Sequence, residues 1–164
     1  MKNTIYRNTF GKYNMYSALA AMLIVIFVVL GCGGGEKPSA PPTESEAAAI
    51  VKATMADFAR AIETGDFKAF KEGASKEFQA LSDEQIKTNF KTFTDKKDVV
   101  APILKQAATM EPKFSPAQSV REEKGYHILV ANGTFDTDEV PTKFTNEYVY
   151  QDGKWKLLKI QVNL

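Results

Sequence analysis

The chain is poor in the residues that polar catalysis most often uses. It has one cysteine, Cys32, one histidine, His127, and one tryptophan, Trp155. A single cysteine excludes an intramolecular disulfide. With one histidine, a zinc site has only carboxylates to complete it, which is a poor ligand set for that metal. There is no glycine-rich phosphate loop and no strand-to-helix nucleophile elbow. Neither sign of charge dominates, with 21 basic against 20 acidic residues. A nucleic-acid groove needs clustered Lys and Arg, so nucleic acid is not an expected partner. No apolar run reaches the roughly 20 residues of a membrane-spanning helix.

What is present follows a clear order. Residues 1–16 are polar and carry Lys2, Arg7 and Lys12 with no acid. Residues 18–30 are thirteen apolar residues in a row, the length of a signal-peptide core. The run closes on small Gly31, directly before Cys32. Val29-Leu30-Gly31-Cys32 resembles the lipobox of bacterial lipoproteins. An aliphatic residue stands three before the cysteine and a small one directly before it; Leu30 departs from the more usual Ala or Ser. The resemblance implies cleavage between Gly31 and Cys32, a diacylglycerol on the Cys32 sulfur, and a further acyl chain such as palmitate on the new amino terminus. One chain binds a bilayer marginally, at about 0.8 kcal/mol per buried methylene, so two or three make a stable anchor. The competing reading is an uncleaved amino-terminal anchor with a buried Cys32. The leader, the small residue and the lone cysteine together favour lipidation.

The localisation implied is the bacterial cell envelope, held to the membrane by lipid. Gly33 resembles a residue that permits sorting to an outer membrane, facing the periplasm, in a two-membrane envelope. Removal of residues 1–31 takes away three bases and no acids, so the balance of +1 becomes −2. Residues 32–43 then form the lipidated cysteine and a tether. Residues 33–43 read GGGEKPSAPPT, flexible at the glycines and extended at the prolines. The eleven residues reach about 35–40 Å when stretched. No fold is expected there, and the segment reads as a spacer.

Residues 44–164 form the folded domain. Thr43, Glu44 and Glu46 mark a helix start with a capping box, and Gly65 marks its end. Ala47, Ile50, Val51, Thr54, Phe58, Ala61 and Ile62 give that helix one apolar face. Asp66 opens a short helix over 67–72 with Phe67 and Phe70 inward. Residues 76–81 make a further turn around Phe78. Ser82 and Gln85 start a helix that runs to about Phe93 and buries Ile86 and Phe90. Residues 99–109 fit a helix with Pro102 in its first turn. Strands are expected over 117–122, 126–135, 142–150 and 154–162, with a hairpin at Asp152-Gly153. In the last strand Trp155 and Leu157 share one phase, whereas Leu158, Ile160 and Val162 share the other. A period of two cannot change phase without a bulge or strong bend near Leu157-Leu158. Helices first and a meander after imply an α+β domain, with the helices packed on one face of a curved antiparallel sheet.

This pattern is similar to the nuclear-transport-factor-like superfamily, the cone-shaped fold that includes ketosteroid isomerase. The residues that carry the likeness are Glu63-Thr64-Gly65-Asp66-Phe67 and the closing hairpin Tyr148 to Leu157. The resemblance implies a pocket between sheet and helices. It transfers no catalytic residue, because no acid or His–Asp pair of the enzymes can be matched to a position here, and fold alone does not give function.

Candidate residues are few. His127 fits a general base in a pocket or, more commonly, a structural or exposed residue. Asp136, Asp138 and Glu139 fit a solvated turn better than a calcium loop, whose twelve-residue pattern is missing. Asp57 and Glu147 read as water-facing acids. Phe58, Phe78, Phe90, Tyr126, Phe144, Tyr148 and Trp155 are the candidate pocket lining, against the alternative of an ordinary filled core. No metal or cofactor is expected. The reading that follows is a non-enzymatic module that binds an envelope protein or a small apolar ligand. Two alternatives stay open: a pocket enzyme of isomerase or dehydratase type, and a structural or assembly role through a sheet-to-sheet homodimer.

Overall fold

A computed structural model describes residues 35–164. The leader, the cleavage site at Gly31 and the lipidation site at Cys32 lie outside the described residues. Five helices precede five strands. The helices are α1 (Glu44–Thr64), α2 (Lys68–Glu72), α3 (Lys76–Gln79), α4 (Asp83–Asp95) and α5 (Lys97–Thr109). The strands are β1 (Lys113–Phe114), β2 (Ser119–Glu123), β3 (Tyr126–Phe135), β4 (Thr142–Gln151) and β5 (Lys154–Asn163). This is the α+β class expected, with the helices packed on an open antiparallel sheet of five strands.

The long helices begin where their caps say they should. The Thr43 hydroxyl accepts from the Glu46 backbone while the Glu46 carboxylate accepts from the Thr43 backbone, and Ser82 and Gln85 do the same for α4. Those bonds from Thr43 hold the Glu46 carboxyl below its ordinary pKa. Two expectations need correction. α5 starts at Lys97, so Pro102 falls in its second turn and not its first. The carbonyl that Pro102 leaves without a donor belongs to Asp98, which is exposed and open to water. The two-residue strand β1 had no periodicity to show it. It shares one edge of β3 with β2, pairing at 133–134 while β2 pairs at 126–130.

The sheet runs β1-β3-β4-β5, with β2 also on β3. Glu147 pairs with Lys159 but Tyr148 pairs with Leu157, so Leu158 is the extra residue of a bulge. The bulge turns Leu157, Ile160 and Val162 all toward the helices, where they join Leu129, Phe144 and Tyr148 in the main core. Leu158 points the other way and forms a second cluster with Ile128 and Val149, flanked by Tyr126 and Val130.

Both tight hairpins have two-residue turns with left-handed central residues: Lys124-Gly125 (φ 52 and 79°) and Asp152-Gly153 (φ 51 and 73°). This is the turn geometry whose twist suits paired strands. Residues 35–43 form no helix or strand, yet they are not a free spacer. The Gly35 N–H donates to the Gly125 carbonyl at 2.9 Å, and Glu36 accepts from the Gly153 N–H at 2.8 Å. Pro38 is buried. The segment therefore straps across the two hairpin tips before α1 begins.

Gly133 is the tightest point of the sheet. A Cβ there stands 2.4 Å from the Lys113 carbonyl oxygen and 2.8 Å from Phe144 Cζ. Gly133→Ala is expected to destabilise the domain by about 1–3 kcal/mol through overpacking. Gly73→Ala meets nothing closer than 3.6 Å in right-handed helical backbone (φ −74°), and should be neutral or stabilise by up to about 1 kcal/mol. Urea unfolding of the two variants checks the contrast; equal midpoints would refute the close approach.

Candidate functional site

Between α1 and the bulged part of the sheet lies a cavity of about 220 Å³. Its wall includes Thr54 and Asp57 from α1, Phe70 from α2, Tyr148 from β4, and Trp155 and Leu157 from β5. The cavity lies beside the bulge, where the Leu157 carbonyl accepts from the Ser75 N–H at 2.9 Å and so holds β5 to the start of α3.

One polar thread runs from the sheet through the wall of this cavity to the helix. The Asn146 amide donates to the Tyr148 hydroxyl at 3.0 Å, that hydroxyl donates to Thr54 Oγ1 at 3.0 Å, and Thr54 donates to the Ile50 carbonyl at 3.0 Å. The direction is set at the far end, where a backbone carbonyl can only accept. Asn146 is fully buried, and its Oδ1 has no partner among the described residues. Burial pushes the Tyr148 phenol up to about 12, against the opposing effect of its hydrogen bonds with Thr54 and Asn146. At neutral pH Tyr148 is therefore a fixed O–H donor. Asp57 sits at the mouth, about half exposed and 3.5 Å from Arg60.

Of the seven candidate lining residues, only Tyr148 and Trp155 border this cavity. Phe58, Phe78 and Phe90 are core filling: Phe58 packs on Phe90 with ring centres 4.9 Å apart, and Phe70 bridges them to Phe78 at 5.7 Å. Phe144 packs on Phe135 at 5.1 Å near the other end of the sheet. Tyr126 is on the opposite face, beside Gly35. Each fully buried Phe contributes about 1.5–3 kcal/mol. A small domain has about 5–15 kcal/mol of total stability, so these rings cannot be spared to open a chamber. Thr54, Phe70 and Asn146 escaped the sequence reading as site residues. The one available signal was a hydroxyl, Thr54, inside an apolar helical stripe, which implies a buried partner.

The other candidates separate. His127 is mostly buried at the hairpin edge, with Nε2 3.9 Å from Glu122, and is not part of the cavity wall. Asp136 pairs with Lys113; the Asp138 carboxylate accepts from Gln106 Nε2 at 2.6 Å, and the Asp138 backbone N–H donates to Gln106 Oε1 at 3.1 Å. Glu147 does not face water freely: it is 17% exposed and bonded to Arg121 at 2.9 Å, with Lys159 at 3.9 Å. Burial lowers the Arg121 pKa, but the Glu147 and Glu123 carboxylates together outweigh that and hold it above its ordinary value. Among the described residues no three His, Cys, Asp or Glu side chains group as a metal site.

A wider depression of about 640 Å³ opens at the helical end, between the α1–α2 turn and the start of α4. Asp66, Phe67, Lys68, Lys71, Asp83 and Lys87 are on its wall. Lys71 pairs with Asp83 at 3.1 Å, and Asp66 accepts from the Lys68 amide at 2.9 Å. Its charge is mixed, with an apolar floor at Phe67 and Ile86. Comparison of the chain with protein-family models, curated proteins and solved structures finds no match.

Tyr148→Phe removes the middle of the polar thread and strands the Asn146 amide. The expected cost is about 1–3 kcal/mol. The pH dependence has a definite sign. The unfolded phenol ionises near pH 10 and the folded one near 12, so the unfolded state binds fewer protons in that window. Stability should fall as pH rises from about 10 to 12, by at most about 1.4 kcal/mol per unit. Tyr148→Phe should lack this component. Chemical denaturation at stepped pH checks it; an identical alkaline slope in both proteins would remove Tyr148 as its source.

Proposed function

We propose that this chain is a lipid-anchored protein of the bacterial envelope, whose domain is a non-enzymatic interaction module in a cone-like fold of the nuclear-transport-factor type. The anchor rests on the leader, on Gly31 and on Cys32. The interaction role rests on one observation: the space between helices and sheet is nearly filled. The remaining 220 Å³ falls below the roughly 300–1,000 Å³ of pockets that enclose small molecules. The helical-end depression, at about 640 Å³, is within that range in size, but its mixed charges around an apolar floor suit a folded protein surface.

The isomerase or dehydratase reading has less support. Tyr148 is a neutral donor, Asp57 is half exposed beside Arg60, and His127 is outside the cavity. A sheet-to-sheet homodimer lacks its driving force. Ile128, Val149 and Leu158 are already buried within the domain, and Val99 on α5 is the one exposed large apolar side chain among the described residues.

Two measurements test this. In a bacterial host fed labelled palmitate, the full chain should take up label and shorten to residue 32 onward. Cys32→Ser should stay unlabelled at full length; normal processing of that variant would overturn the lipoprotein reading. Separately, residues 36–164 should fly as a bare mass in native mass spectrometry. Retention of a further few hundred daltons would mean an occupied cone and would favour a carrier or an enzyme.

A further inference from the structure

The strap has a consequence for how the domain stands on a membrane. If residues 33–43 were a free spacer, the domain would tumble about Cys32 at a reach of about 35–40 Å. Instead the chain is fastened from Gly35 onward. Gly35 bonds the tip of the β2–β3 hairpin and Glu36 the tip of the β4–β5 hairpin. Gly35 also fits closely on the Tyr126 ring, since a Cβ there would stand 2.9 Å from Cδ1. Only Gly33 and Gly34 lie between Cys32 and Gly35, three steps along the chain with a reach of about 11 Å.

The charges at the same end give a second, independent observation. The acids there each lie near a partner, although Glu36 bonds only a neutral amide and Glu122 is 68% exposed. Glu36 holds the Gly153 amide, Glu123 pairs with Arg121, Asp152 is shared by Lys76 and Lys156, and Glu122 lies 3.9 Å from His127. Three exposed lysines remain: Lys37 on the strap, Lys124 on one tip and Lys154 beside the other. None has a carboxylate partner among the described residues. Unpaired lysines on the side nearest a lipid anchor favour anionic headgroups.

We infer that the two hairpin tips are the membrane-facing surface of this domain, held against anionic lipid by the docked strap and by Lys37, Lys124 and Lys154. The β3–β4 loop, at the opposite ends of those strands, is then directed away from the bilayer. This inference rests on Cys32 being the point of lipid attachment. Its test enforces that attachment chemically, so it can fail while the palmitate experiment succeeds, and the reverse.

Residues 32–164 contain every described element and the whole core, and Cys32 is the sole cysteine. The protein can therefore be coupled through Cys32 to maleimide-bearing lipid in phosphatidylcholine vesicles, with or without phosphatidylglycerol. Trp155, the sole tryptophan, sits one residue from the Lys154 tip and serves as energy donor to a dansyl headgroup. The comparison is the double variant Trp155→Phe/Lys143→Trp, which moves the donor to the other end of β4. Lys143 and Gln151 are eight residues apart on that strand. That separation is about 27 Å, so transfer from Trp155 should be stronger by at least about threefold. Phosphatidylglycerol should raise the Trp155 signal, and Lys124→Glu/Lys154→Glu should cancel the rise. Equal transfer from the two positions, or no response to phosphatidylglycerol, overturns the inference. In the unsubstituted protein, headgroup-nitroxide lipid should quench Trp155; no quenching overturns it regardless of how the variants fold.

Discussion

Leu158 is one residue too many for the β4–β5 ladder, and much of the domain depends on it. Without the bulge, β5 keeps a strict period of two and Leu157 shares a face with Lys159 and Gln161. Packing Leu157 against the helices then drags a lysine and a glutamine into the core, at several kcal/mol for the unpaired charge alone. With the bulge, Leu157, Ile160 and Val162 all join the helical side and Leu158 alone crosses over. The same extra residue increases local twist next to Tyr148. On the other face Leu158 completes the cluster with Ile128 and Val149 that Tyr126 borders, and Tyr126 is where Gly35 rests. One irregularity thus sets which side chains of β5 face the helices and completes the cluster beside which the amino-terminal strap docks.

The two faces of the sheet solve burial differently. The helical face is covered by apolar contact and threaded by a single polar line, from Asn146 through Tyr148 and Thr54 to the Ile50 carbonyl. One bond of that line, from the Tyr148 hydroxyl to Thr54, ties α1 to the sheet; the other two lie within β4 and within α1. The open face has no covering layer of helices. There, long charged side chains lie over the small apolar cluster, with Glu147 between Arg121 and Lys159. Their methylene stems exclude water while their heads neutralise one another. That arrangement makes the open face a poor surface for self-association.

The legible parts of this fold are those with local chemistry. The capping boxes at Thr43 and Ser82, the Asp152-Gly153 turn and the phase change at 157–158 each rest on neighbours within four residues. They therefore survived translation from sequence to structure. Depth was not legible. A helical or strand period tells which way a side chain faces, not what stands opposite. Phe58 and Phe90 face the sheet side as Tyr148 faces the helix side, but the former meet other rings and the latter borders a cavity. The strap was invisible for a different reason. Its partners lie far along the chain, with Glu36 bonding a residue 117 positions on, and nothing in GGGEKPSAPPT signals a contact.

The composition of that strap can still be understood from what docking costs. Fixing each residue's backbone costs roughly 1–2 kcal/mol, while each of the two hydrogen bonds returns only about 0.5–1.5 kcal/mol net, with somewhat more for the one to the Glu36 carboxylate. A strap of freely rotating residues would therefore detach. Pro38, Pro41 and Pro42 have φ locked before folding, so ordering them costs less than ordering other residues. Burial of the Pro38 ring adds apolar contact at no cost in side-chain rotamers. The prolines read at first as a stiff spacer are also the residues cheapest to hold in place. Stiffness and docking act in the same direction. Both hold the chain ahead of α1 to one path across the two hairpin tips.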